Sequence, residues 1–91
     1  MVTAIVLLGC ERGCVNQVAE TLAEQPGVSE VYSVSGNYDL VAIVRVANND
    51  LLAATVTDAI ADIDGIEHTE TMLAFRSYSR HDLEEMFSIG Q

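Results

Sequence analysis

The chain has 91 residues, 49% of them hydrophobic, which suits one compact domain and leaves little room for a second. Fourteen acidic residues face only four basic ones, giving a formal net charge of −10. The four cations, Arg12, Arg45, Arg76 and Arg80, are scattered, which argues against direct nucleic-acid binding and against an anionic membrane surface.

In chain order, Val2 to Leu8 is rich in β-branched residues and too short for an ordinary helix, so it reads as a strand. Cys10-Glu11-Arg12-Gly13-Cys14 follows. A thiol there, at a helix N-terminus beside Arg12, would have a lowered pKa. The spacing is not the redox C-x-x-C, and no second pair completes a zinc site, so incidental thiols are the plainer reading. Val15, Val18, Ala19 and Leu22 then repeat at i, i+3, i+4, i+7, and Pro26 ends the helix they predict. Val28 to Ser35 is a second strand, and Gly36-Asn37 signals a tight hairpin into a third, Leu40 to Val46. Asn49 or Asp50 can cap a second helix, whose apolar face is Leu52, Val56, Ala59, Ile60 and Ile63 and which Gly65 follows. Ile66 to Phe75 suits a fourth strand. A short third helix is expected from about Ser79, with Asp82 near its start and Leu83, Met86 and Phe87 on one face. Glu84 to Phe87 reads as a run that docks the tail or caps a neighbour's surface.

A shift of 38 positions superposes the two halves, placing Ala4-Ile5-Val6 on Ala42-Ile43-Val44, Val18 on Val56, and Gly27-Val28 on Gly65-Ile66. The order β-α-β-β-α-β with such a repeat predicts an α+β, ferredoxin-like fold: one four-stranded antiparallel sheet with both long helices on one face. Residues 1–77 form the domain and 78–91 a C-terminal tail. Both faces of the first and third strands are apolar, since Ile5 and Leu7 oppose Ala4, Val6 and Leu8, and Val41 and Ile43 oppose Leu40, Ala42 and Val44. Helices cover only one face, and a large apolar patch left in water is rare in monomers. The expectation is a homodimer packed sheet to sheet. Burial of ~600 Å² per chain would contribute on the order of 15 kcal/mol gross at ~25 cal/mol per Å², much of it offset by entropy and imperfect fit.

The segment Val31-Tyr32-Ser33-Val34-Ser35-Gly36-Asn37-Tyr38-Asp39-Leu40-Val41 resembles the Gly-x-Tyr-Asp turn of the ligand-sensing RAM domain of leucine-responsive and asparagine-regulator (Lrp/AsnC-type) transcription factors. Gly65 to Leu73 resembles that family's fourth strand, with its Thr-x-Thr segment, and Gln25-Pro26-Gly27-Val28 resembles its first helix-to-strand corner. The resemblance covers residues 1–77 and implies dimers joined through their sheets, rings of dimers, and small effectors, typically amino acids, bound between neighbouring dimers. Members of the family carry a helix-turn-helix domain ahead of this module. Here the pattern begins at Met1, so the chain resembles the stand-alone form, with a full-length family regulator as a further expected partner through a mixed dimer.

A free amino acid needs a carboxylate or carbonyls for its ammonium and N–H or hydroxyl donors for its carboxylate. Gly36, Asn37, Tyr38 and Asp39 can supply backbone N–H groups and one carboxylate, while Thr69 and Thr71 alternate onto one strand face and offer two hydroxyls. The resemblance places these two segments at the effector site. On the residues alone, Gly36-Asn37 is also an ordinary turn, Asp39 also a turn-amide acceptor, and the threonines also ordinary strand residues. His68 and His81 have no evident metal-ligand partners, and Asp58, Asp62 and Asp64 suit a solvated helix face, so neither metal nor cofactor is expected. No nucleophile-base-orienter set and no phosphate loop is present, so the expected role is non-catalytic. The alternatives are a dimeric α+β-barrel enzyme using Tyr32, Tyr38 or His68, and a purely structural assembly subunit. No apolar run reaches the ~18 residues of a bilayer span, and Met1-Val2-Thr3-Ala4 lacks the positive region of a secretion signal, so the expected location is cytoplasmic.

Overall fold

Alternation of apolar side chains along two central strands organises the whole molecule. A computed structural model describes residues 1–80. Its elements are strand β1 (Val2–Cys10), helix α1 (Val15–Glu24), strands β2 (Val28–Ser33) and β3 (Leu40–Val46), helix α2 (Asn49–Ala53) running on as a π-helical segment (Ala54–Ile60), and strand β4 (Ile66–Ala74). The expected third helix, with Leu83, Met86 and Phe87, lies outside the described residues.

The strands form one antiparallel sheet in the order β2-β3-β1-β4. Ala4, Val6 and Leu8 on β1 and Leu40, Ala42 and Val44 on β3 are fully buried beneath the helices with Val18, Leu22 and Ile60. Each fully buried Leu, Val or Ile contributes roughly 1.5–3 kcal/mol relative to exposure. The fold is the α+β ferredoxin-like arrangement that the order of elements predicts.

The internal repeat has a packing reason. Gly27 and Gly65 occupy equivalent corners with φ of 90° and 97°. A Cβ on Gly27 would stand 2.8 Å from Val46 Cγ1 and 3.2 Å from Thr55 Oγ1; on Gly65 it would stand 2.9 Å from Val18 Cγ2. Each corner thus lies against the helix of the other half, and only glycine meets both the turn and the approach.

Several boundaries differ from the expectation. β1 runs on to Cys10, β2 stops at Ser33 and β4 at Ala74. The cap of α2 is Asn48, whose Oδ1 accepts the Leu51 N–H at 2.9 Å, in place of Asn49 or Asp50. Only Asn48 has the extended backbone a capping residue needs, with φ −153° and ψ 173°. From Ala54 the winding is π-helical, and Thr55, three residues after Leu52 and four before Ala59, is buried on the same face as Ile60 although it is polar. Burial of the Thr55 hydroxyl is offset by its bond to the Leu51 carbonyl at 2.9 Å.

Candidate functional site

The β2–β3 connection is a loop of residues 34–39 in place of a two-residue hairpin. It is closed at its base by the Val34 N–H donating to the Asp39 carbonyl at 3.0 Å. Gly36, at φ 110°, has no neighbour within 4 Å of a built Cβ among the described residues, so the loop's tip stands clear of them. Gly36 and Asn37 are exposed, and Tyr38 and Asp39 half-buried.

Asp39 fastens this loop to β1. Its own N–H donates to the Leu8 carbonyl at 2.9 Å, and its Oδ2 accepts the Cys10 N–H at 2.8 Å. That second bond satisfies an amide beside the register shift between Gly9 and Cys10 in the β1–β4 pairing. Burial, and then the negative charges of Asp39, Cys14 and Glu67, push the Cys10 thiol above its ordinary pKa. Both thiols are free, Cys10 buried and Cys14 half-buried.

Tyr38 reaches β4. Its hydroxyl donates to Glu70 Oε2 at 2.6 Å, and its ring centroid lies 5.5 Å from that of His68, tilted by 51°. The carboxylate that accepts its proton raises the Tyr38 pKa. The His68 ring lies over Gly9, where a built Cβ would come within 2.1 Å of its Cε1. The sequence offers Tyr38 and His68 only as separate candidates; their contact with each other, Glu70 and Gly9 is long-range, and only the register of β1 against β4 brings Gly9 and His68 together.

Register also separates the predicted site residues. Leu7 pairs with Glu70 and Gly9 with His68, so Tyr38, His68 and Glu70 meet on the face away from the helices. Thr69 pairs with buried Leu8 and Thr71 with buried Val6, which places both threonines toward the helix side. Both are exposed there, at a margin of the sheet that the helices leave open. Within one chain, Thr69 and Thr71 therefore share a face with each other but not with Tyr38. Two surface hollows, of about 310 and 490 Å³, include none of the six predicted residues. Among the described residues, no group of three or more His, Cys, Asp or Glu side chains is placed to hold a metal ion, and no helix is long and apolar enough to cross a membrane.

The face away from the helices carries Ile5 and Leu7, Val41 and Ile43, and Met72, all partly exposed. Polar groups flank this stripe. Tyr38, His68 and Glu70 stand on the β4 side; on the β2 side Glu30 accepts from the Tyr32 hydroxyl and pairs with Arg45 Nη1 at 3.1 Å. The bond from Tyr32, and then that from Arg45, lower the Glu30 pKa, while the same carboxylate raises that of Tyr32.

The described residues thus form a ferredoxin-like sheet with an anchored, outward β2–β3 loop and one apolar face that no other described element covers. Residues 3–83 match the family model of the Lrp/AsnC ligand binding domain, and the chain belongs to that family, the ligand-binding domain of transcriptional regulators. It is 35% identical over 75 residues to the HTH-type transcriptional regulator FL11 of Pyrococcus horikoshii, covering 82% of this chain and 49% of that protein. It is 32% identical over 62 residues to the HTH-type transcriptional regulator LysM of Saccharolobus solfataricus, covering 68% of this chain and 43% of that one. The chain thus spans about half the length of these curated relatives. The crystal structure of TTHA0845 from Thermus thermophilus superposes with a TM-score of 0.82 at 49% identity, covering 88% of this chain and all of that one. AsnC of E. coli superposes with a TM-score of 0.80 at 22% identity over 86% of this chain and 53% of its own, a likeness of fold.

Proposed function

We propose that this chain is a non-catalytic sensing and assembly module that binds a small effector, an amino acid being the best fit, beside residues 36–39. The observation that carries this reading is a loop whose tip is open to solvent while its base is held by the bonds of Asp39. Such a loop presents backbone N–H groups to a ligand without having to be ordered first. Thr69 and Thr71 lie on a different face of the same chain, so a site using both segments draws them from neighbouring copies. That agrees with an effector bound between dimers. Pairing of two chains through their open sheet faces supplies those copies and covers the stripe from Ile5 to Met72. Membership of a regulator family supports a role in transcription control through a mixed dimer with a full-length relative. Binding changes the assembly only if the effector prefers one oligomer over another.

The test is a thermal-shift panel of the twenty amino acids at millimolar concentration, with oligomer mass followed in parallel. A ligand at ~100 times its dissociation constant adds roughly 2.7 kcal/mol of stability. The reading predicts a shift with one or a few amino acids that is lost in Thr69→Val/Thr71→Val, a variant whose own melting temperature stays near that of the parent. Asp39 is a poor first choice for this variant, since its loss also removes the acceptor for the Cys10 N–H. A flat panel on a folded assembly overturns the amino-acid reading.

A further inference from the structure

We infer that residues 81–91 of one copy dock onto the far end of a second copy's sheet, in the hollow between Arg45 and Arg76. This rests on the pairing proposed above and adds the element that closes it. The hollow of about 310 Å³ is lined by Thr3, Arg45, Ala74, Phe75 and Arg76, among others. Two of the chain's four cations therefore stand at one place in a molecule of net charge −10. Apolar surface gathers at the same end, where Met1 is 91% and Phe75 93% exposed. An aromatic side chain left this open, beside a hollow with two guanidinium groups, fits an occupant that is both acidic and apolar.

The chain carries such a segment immediately afterwards. Residues 81–91 hold Asp82, Glu84 and Glu85 together with Leu83, Met86, Phe87 and Ile89, and no Lys or Arg. Carboxylates suit the Arg fork, which offers more donors than the single Arg45–Glu30 bond uses. The second copy is favoured over the same chain because no turn follows β4 among residues 75–79 to bring the segment back. Each residue of chain spans at most about 3.3–3.6 Å, so the residues that follow Ser77 are numerous enough to reach a facing sheet. Thr3, Arg45 and Ala74 share the face away from the helices, so the hollow borders the surface on which that sheet would lie.

The experiment mixes two forms of the full-length chain. One carries a nitroxide on a single cysteine at Ser88→Cys, with Cys10 and Cys14 replaced by serine; the other is isotope-labelled and unmodified. Loss of intensity at the Thr3, Ala74 and Arg76 amides of the labelled chain is expected. The loss should weaken with salt. It should also disappear in Glu84→Arg/Glu85→Arg and return in part when that variant meets Arg76→Glu. Loss seen only when nitroxide and label share one chain would overturn docking in the second copy. No loss in either sample overturns docking altogether. As a second measurement free of the cysteine changes, the charge-reversed tail should move the same three amides in the otherwise unmodified chain; unmoved amides contradict the proposal. Sedimentation of the same samples separates the two readings, since a monomer defeats the pairing itself, whereas a dimer with unmoved amides defeats only the tail.

Discussion

Along β1, Ala4, Val6 and Leu8 are fully buried, while Thr3, Ile5 and Leu7, interleaved with them, are half-buried. The strand has nearly the same chemistry on both sides, and the difference lies in what covers each. Helices α1 and α2 close one face; nothing in the chain's described residues closes the other. In a sheet with one polar face, alternation marks inside from outside. Here both faces are apolar, so the second calls for a second layer, which pairing with another copy supplies in the reading given above.

The two faces should differ most at the core. Leu8→Ala should destabilise by about 2–5 kcal/mol, as a cavity under the helices does, and Leu7→Ala by clearly less when both are unfolded in urea at a concentration where the chain is monomeric. Equal losses would mean that the two faces are equally enclosed. Next come the corner glycines. Gly65→Ala combines positive φ with a Cβ 2.9 Å from Val18 Cγ2, whereas Gly36→Ala has positive φ and open space. Backbone strain of this kind is worth about 1–3 kcal/mol, so Gly36→Ala should fall within that range and Gly65→Ala exceed it in thermal unfolding. Asp39→Ala leaves the Cys10 N–H without its acceptor and should cost about 1–3 kcal/mol, with faster hydrogen exchange at the Cys10 and Leu40 amides.

The smallest effects are electrostatic and lie on the open face. The Glu30 pKa is lowered, so its contribution is present above the ordinary Glu value and fades as pH falls through the folded value. The Tyr32 and Tyr38 values are raised, so their contributions are complete below the ordinary tyrosine value and fade as pH rises through the folded ones. Ultraviolet titration should show two tyrosines ionising later than free tyrosine, and Glu70→Gln should return Tyr38 toward ordinary behaviour. These bonds all lie at the surface, so stability should change little across the plateau between the two limits.

The strands, the helix α1 and the repeat were legible because each rests on local pattern: β-branched alternation, a 3.6-residue apolar period, and a glycine at each equivalent corner. The π winding was not, since seven residues are too few to separate its period from that of an α-helix, and Thr55 gives no apolar signal. Asn48, Asn49 and Asp50 are all good caps in sequence, and backbone angles alone choose among them. At the candidate site the turn at Gly36-Asn37 could be read from the residues but not the length of the loop around it, and only the family resemblance set Thr69 and Thr71 beside it. The division between Tyr38 on one face and Thr69 with Thr71 on the other could not, because it is set by the β1–β4 register and by a side chain reaching across 32 positions to Glu70.

In the reading proposed above, one face of the sheet folds the chain and the other joins it to a second copy. The most direct measurement is sedimentation equilibrium of the parent and of Ile5→Glu, which puts a charge at the centre of the open face opposite Ile43 and Met72. The account predicts a parent mass of a dimer or a multiple of it, and a folded Ile5→Glu monomer whose melting temperature no longer depends on protein concentration. A monomeric parent, or an Ile5→Glu variant that keeps the parent's mass, would contradict it.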